Sequence, residues 1–426
     1  MNKKVLVLSL LFSLVSCGPI STTSFTTSSN VVSSLETTSE VLPKYTSEEI
    51  INLYKSYDSS YTGNNLPTPE DLNDDFIKAV DVSFASKIVE GGGSYIDFDG
   101  YEKSIYKILK NSGVNAVRIR LFHNWASLYG QANNGDLDLN RVFNMAKEAY
   151  QEGLKLILDL HYSDTWADPD SQQCPYAWKD LSYDQVKVAL NTYTKETVSY
   201  FITNGVPVDY IQIGNEINSG MCFPFGQIDW TNDTTTNEGF DRFVGLLKEG
   251  SSAVREVSPD TKIIIHSANA LRLYEGSPVN AKWFYQKLAD RNLDYDIIGS
   301  SLYSFYGDGP VSSLTNVINT ITTEFNKPFM VMENSYGFTN KYADDGTSNL
   351  LYTTNKDVNY DLSIKGQAEE VHDILEQLNN AKNAIGYAYW GGEWIYSSSI
   401  AYNNWENQAL FTFEGVALPV LNQFNN

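Results

Sequence analysis

From residue 79 onward, short apolar runs alternate with longer stretches whose apolar positions recur every three or four residues. The runs, at 79–84, 116–121, 155–160, 210–214, 262–266, 296–300, 329–332 and 384–389, read as buried strands. Between them, amphipathic helices are predicted near 102–111, 138–152, 184–203, 237–256, 280–291, 311–325 and 364–382. Strands alternating one for one with helices predict an α/β chain whose parallel sheet closes into a single (β/α)8 TIM barrel. An open, doubly wound sheet is the alternative. Gly113, Gly153 and Gly205 follow predicted helices, where glycine supplies the left-handed termination. Two connections are long, 334–362 after the seventh strand and 391–415 after the eighth, and such excursions usually shape a substrate site.

The first 47 residues carry a different pattern. Lys3 and Lys4 precede an apolar run, Val5 to Val15, too short to span a bilayer, and Leu14-Val15-Ser16-Cys17 follows. This resembles a bacterial lipoprotein signal: residues 1–16 are expected to be removed and Cys17 acylated, with a plain secretory signal as the alternative. Residues 17–47 are rich in Ser and Thr and read as a flexible spacer, leaving 48–426 as the barrel domain. The expected location is therefore outside the cytoplasm, as a lipoprotein at the cell surface or extracellular, touching membrane through the anchor alone. Cys174 and Cys222 remain, an even number in loops expected on one barrel face, so both a disulfide and free thiols stay open.

Charge narrows the ligand. Asp and Glu number 52 against 30 Lys and Arg, a formal net charge of -22, which repels nucleic acid and favours a neutral polymer. With 28 Tyr and 8 Trp the chain has rings to stack on sugars, although ordinary core packing accounts for many of them. Four His and three Cys, without CxxC or HExxH spacing, argue against a zinc or iron site. No cofactor is expected for the chemistry, and the chain is read as a monomer.

The candidate chemistry lies at the strand ends. Glu216 closes the run Ile211-Gln212-Ile213-Gly214-Asn215, and Glu333 closes Phe329-Met330-Val331-Met332. Barrel enzymes build their sites at that end of the strands. A retaining glycosidase needs two carboxyls about 5–5.5 Å apart, one ionised to attack and one protonated to donate. Arg118 or Arg120, two apart on one strand and so on one side of it, is available to hold the nucleophile ionised. Asn215 is placed to bond a sugar hydroxyl, and Tyr303 to donate to Glu333. His161, Asp164, Asp168 and His266 are further candidates at the mouth, and Trp166, Trp178, Trp390 and Trp394 are candidate stacking platforms. Each has a bland reading, since a lone buried Glu is usually an ion-pair partner; accumulation at one end of nearly every strand favours the functional one.

Several strings resemble glycoside hydrolase family 53, the endo-β-1,4-galactanases. They are His161-Tyr162-Ser163-Asp164-Thr165-Trp166-Ala167-Asp168-Pro169, Asp81-Val82-Ser83-Phe84, Gly113 to Leu121, Gln212 to Met221, and Trp405 to Phe411. The resemblance spans roughly 79–424. It implies a (β/α)8 barrel, retention of configuration, Glu216 as acid/base, Glu333 as nucleophile, and internal cleavage of β-1,4-galactan in the arabinogalactan side chains of pectin. Departures fall at Gly391-Gly392-Glu393, Cys222-Phe223 and Tyr306, where subsite walls are expected. Some bacterial members hold structural calcium after the seventh strand, and the turn Asp344 to Asn349 resembles that loop. Asp345, Asn349 and Glu406 are its candidate ligands, oxygen donors suited to calcium, and a solvated acidic turn is the alternative. Another retaining endo-glycanase of the same clan, acting on mannan or glucan, and a non-catalytic glycan-binding lipoprotein are the competing functions.

Overall fold

Eight parallel strands close into a barrel in the order β1-β8-β7-β6-β5-β4-β3-β2 in the computed structural model of the chain. They are β1 (Ile77–Asp81), β2 (Ala116–Leu121), β3 (Lys155–Leu160), β4 (Tyr210–Ile213), β5 (Lys262–Ser267), β6 (Ile297–Ser301), β7 (Phe329–Glu333) and β8 (Ala384–Tyr389). The structure describes residues 42–124, 137–229, 233–268, 281–306, 309–343, 348–351, 359–398, 400 and 403–425. Cys17, the signal and nearly all of the 17–47 spacer lie outside the described residues, as do Asp344 and Asp345. Residues 43–426 form one compact unit, which opens with helix α1 (Ser47–Tyr57), started by a Thr46/Glu49 capping box. Among the described residues no helix is long and apolar enough to cross a membrane.

Helices α2 (Ile105–Asn111), α3 (Leu139–Gln151), α4 (Tyr183–Thr203), α5 (Asp233–Val257), α6 (Ala281–Ala289), α7 (Leu314–Phe325) and α8 (Ile364–Asn380) make the crossovers. Two of the boundaries that differ from the sequence pattern have a local cause. β1 stops at Asp81 rather than 84, because Asp81 Oδ1 accepts from the backbone N–H and hydroxyl of Ser83 at 3.1 and 2.6 Å and turns the chain. α2 starts at Ile105, capped by the Ser104 side chain, while Glu102–Lys103 pairs with Tyr95–Ile96 instead of coiling.

The barrel interior is apolar at one level and charged above it. Ile77, Ala79, Ala116, Ile157, Ile264, Ile297, Met330, Met332 and Ala388 pack together as an apolar layer. Strand alternation carries the same faces upward to Asp81, Arg118 and Arg120, Asp159 and His161, Gln212, His266, Ser301 and Trp390. β7 breaks that rule: Met330 and Met332 face inward, so strict alternation would turn Glu333 outward. The register between β6 and β7 skips a residue there, Ser300 facing Val331 and Ser301 facing Glu333, and this irregularity re-aims Glu333 inward.

Candidate active site

Glu216 reaches the mouth through a backbone turn, not through alternation. After β4 the chain passes Gly214 at φ 80° and Glu216 at φ 46°. A Cβ on Gly214 would lie 2.6 Å from Ile217 Cγ2, so this turn requires glycine. Left-handed backbone at a glutamate is uncommon; here it carries the carboxyl to β6, where Oε1 lies 2.5 Å from Ser301 Oγ. Glu333, 6% exposed, has Oε1 3.0 Å from Arg118 Nη2 and accepts the Tyr303 hydroxyl on Oε2 at 3.1 Å.

Arg118 organises the floor. Its guanidinium is fully buried and meets Asp81 at 2.9 Å, Asp159 at 2.8 Å and Glu333 at 3.0 Å, and it also donates to Asn215 and Gln212. A buried cation with three carboxylates and two amides has every edge of its planar fork engaged. Against the penalty of burial, Arg118 and then His161 hold Asp159 down at about 2. The two candidate catalytic acids differ in the same terms. Burial first, then repulsion from Glu333, pushes Glu216 up to about 8. Burial raises Glu333 as well, but Arg118 and Arg120 pull against it. Glu333 is the acid in contact with a guanidinium, so when the pair shares one proton it resides on Glu216.

Arg120 sits beside this floor under aromatic rings. Its guanidinium carbon is 4.4 Å from the Trp166 ring centre and 5.2 Å from that of Trp390. Trp390 in turn packs on Trp394 at 4.9 Å and Trp405 at 4.5 Å, and Trp405 lies 5.8 Å from Tyr303. Trp166 and Trp405 are partly exposed, so an aromatic wall with open ring surface flanks the two acids.

Several residues expected to touch substrate are placed below it. Arg118 has no exposed surface and acts on Glu333. His161 holds Asp159 through Nε2 at 3.0 Å and accepts the Ala167 N–H on Nδ1 at 3.0 Å, so neither nitrogen is left for a sugar. His266 lies between Asn215 at 3.0 Å and Ser301 at 2.9 Å. Asp164 accepts from Asn124 and Tyr176 backbone N–H groups at 2.9 and 2.8 Å and faces His123, so its carboxylate fastens loops. Asn215 Nδ2 donates to Ala167 O at 2.8 Å, and its second N–H has no partner among the described residues. Asp168 remains partly exposed, ties its own turn through the N–H of Asp170 and Ser171, and lies close enough to Glu216 to repel it. Trp178 is buried against His123 at 4.9 Å and packs rather than stacks on sugar. Trp390 and Trp394 are 7% and 8% exposed, with little ring surface for a ligand.

Asp81, Asp159, Gln212, Ser301 and Trp405 belong to the site and went unassigned. Asp159 lies two residues before His161 on β3, so alternation would have found it, whereas Asp81 and Gln212 are placed by their contacts with Arg118 from another strand. Of the calcium candidates, Asp345 lies outside the described residues, and Asn349 and Glu406 lie within them. Asn349 donates its amide to Lys341 O at 2.9 Å, Glu406 is buried, and no three His, Cys, Asp or Glu gather among the described residues. Cys174 and Cys222 are both buried and unbridged.

A family model described as glycosyl hydrolase family 53 matches residues 77–424, the barrel and its C-terminal turn. The chain belongs to that family. It is 32% identical over 391 residues to an endo-beta-1,4-galactanase of Bacillus subtilis, covering 83% of this chain and 86% of the relative. It is 28% identical over 363 residues to an arabinogalactan endo-beta-1,4-galactanase of Cellvibrio japonicus, covering 82% and 90%. Among solved structures, a family 53 catalytic domain of Ignisphaera aggregans superposes with TM-score 0.76 at 34% identity, covering 84% of this chain and 98% of that one. Membership makes this family 53 chain a glycoside hydrolase, whose chemistry needs no cofactor.

Proposed function

We propose that this family 53 hydrolase is a retaining endo-β-1,4-galactanase, acting within galactan and the type I arabinogalactan side chains of pectin. Its similarity to galactanases from Bacillus subtilis and Cellvibrio japonicus supports the substrate. The observation that carries the mechanism is the asymmetric pair: Glu333 ion-paired with Arg118 at 3.0 Å, and Glu216 raised to about 8 with no ion-pair partner among the described residues.

In this reading Glu333 attacks the anomeric carbon while Glu216 gives its proton to the departing glycosidic oxygen. The C–O bond breaks and a galactosyl ester forms on Glu333. Glu216, now ionised, takes a proton from water, whose oxygen attacks the anomeric carbon from the vacated side and releases Glu333. Tyr303 and Arg118 stabilise the carboxylate as it leaves. Two displacements on one carbon return the β configuration. Trp166 and Trp405 supply ring surface for neighbouring galactose units. The lipid anchor at Cys17 belongs to the same reading; a fatty-acid label incorporated in the exported chain and lost in Cys17→Ser supports it, and an unlabelled chain removes it.

The test is digestion of linear β-1,4-galactan, β-mannan and β-glucan with sizing of the products. Oligosaccharides released early from galactan alone support the proposal. Cleavage of mannan or glucan instead favours another clan activity, and no cleavage of any polymer favours a binding protein.

A further inference from the structure

A short hydrogen-bond chain ends on Glu216, and its polarity is fixed from the far end. The side-chain oxygen of Asn215 faces Arg118 Nη2 and Gln212 Nε2, each at 2.9 Å, while its Nδ2 faces the Ala167 carbonyl at 2.8 Å. A guanidinium only donates and a carbonyl only accepts, so these partners settle which amide atom is oxygen. His266 Nδ1, 3.0 Å from that oxygen, must therefore carry a hydrogen. The ring is fully buried, and burial together with Arg118 pushes its pKa well below the usual value. It is neutral, and Nε2 keeps its lone pair. Ser301 Oγ, 2.9 Å from Nε2, gives its single hydrogen there. The remaining 2.5 Å contact, between Ser301 Oγ and Glu216 Oε1, then has one possible donor, the carboxyl of Glu216.

We propose that Ser301 and His266 are positioning residues that keep the proton on Glu216, through a chain running from Glu216 O–H to Ser301, Ser301 O–H to His266 Nε2, and His266 Nδ1–H to Asn215. The inference rests on the reading of Glu216 as acid/base. When Glu216 donates to the leaving oxygen, the Ser301 hydroxyl turns to the new carboxylate and His266 loses that donor; when Glu216 takes a proton from water, Ser301 turns back. No proton is consumed over the cycle. The unaided His266 nitrogen opposes the ionised form of Glu216, adding to the repulsion from Glu333 and Asp168 and against the attraction of Arg118. His266 itself faces Arg118, Asp159 and His161, whose fields partly cancel.

The direct test is ¹⁵N NMR of the intact protein with labelled histidine, a tractable spectrum because the chain has four His. The expected result at pH 6 is a neutral His266 protonated on Nδ1. His161, whose Nδ1 accepts from Ala167, is expected protonated on Nε2 and serves as contrast. A hydrogen on His266 Nε2 overturns the proposal. The second test is the alkaline limb of the pH–rate profile in His266→Ala. Removing Nε2 frees the Ser301 hydroxyl for the Glu216 carboxylate, so the limb moves to lower pH by about one unit. A limb that moves up, or stays, overturns the proposal, and the wild-type spectrum decides alone if the variant does not fold. A near-normal rate in Glu216→Gln would remove the acid/base reading instead, whatever the tautomer of His266.

Discussion

Arg118→Lys keeps a positive charge and removes the fork, which isolates what the guanidinium does for Glu333. Arg118 Nη2 lies 3.0 Å from Glu333 Oε1 and 2.8 Å from Asp159 Oδ2, while Nη1 lies 2.9 Å from Asp81. A single ammonium cannot hold all three, and with two of the carboxylates behind it, it settles away from Glu333. At an effective dielectric of about 20, a charge pair at 3.0 Å is worth ~5.5 kcal/mol, and the same pair at ~5 Å about 3.3. The difference, roughly 2 kcal/mol, corresponds to about 1.5 pKa units on Glu333.

The sign follows from the charge: weaker attraction favours the protonated carboxyl, so the Glu333 pKa rises. The acidic limb of kcat/KM, which reports the free enzyme's nucleophile, should move up by about 1.5 units, with the optimum rate down ~10- to 100-fold from misplacement. The assay is reducing-sugar release from soluble galactan across pH at constant ionic strength, with the melting temperature recorded for each protein. An acidic limb that stays in place in a folded variant would refute the claim that Arg118 keeps Glu333 ionised.

Glu216→Gln should lower turnover on galactan by about 10²- to 10⁴-fold, and by less on an aryl glycoside whose leaving group needs no proton, as read from initial rates on both. Glu370 on α8 and Glu393 after β8 are buried acids pushed up to about 8, chiefly by burial. Because the native state holds these protons above the pH where the unfolded chain releases them, stability should fall as pH rises from about 4.5 to 8. Glu370→Gln should flatten that fall in melting temperature between pH 5 and 9; an unchanged slope would mean Glu370 is already ionised. Trp166→Ala removes a ring 4.4 Å from the Arg120 guanidinium and part of the aromatic wall. KM on galactan should rise about 3- to 10-fold, and an unchanged KM would place sugar stacking elsewhere.

The barrel was legible because its two periods do not overlap: apolar runs such as Ile263-Ile264-Ile265 suit a strand buried on both faces, and Leu139 to Gln151 repeats at helical spacing. The two glutamates were legible for a related reason, each closing an apolar run. How they are aimed was not. The β7 irregularity that turns Glu333 inward depends on pairing with β6, and the left-handed turn at Glu216 depends on contact between Gly214 and Ile217. His161, His266 and Asp164 were read as sugar contacts because polarity at a strand end does not reveal depth. Their nitrogens and oxygens are engaged by Asp159 two residues before His161, by Asn215 and Ser301 from the strands flanking His266, and by loop N–H groups. Ser301 was overlooked because a lone serine carries no signal until Glu216 and His266 are placed on either side of it.

The division of labour between the two acids is tested most directly by Glu333→Ala incubated with azide and an aryl β-galactobioside. With the nucleophile gone and Glu216 still able to assist departure, azide enters from the vacated face, and the account predicts an α-configured galactobiosyl azide by NMR. A β-configured azide, or wild-type hydrolysis rates without azide, would contradict it.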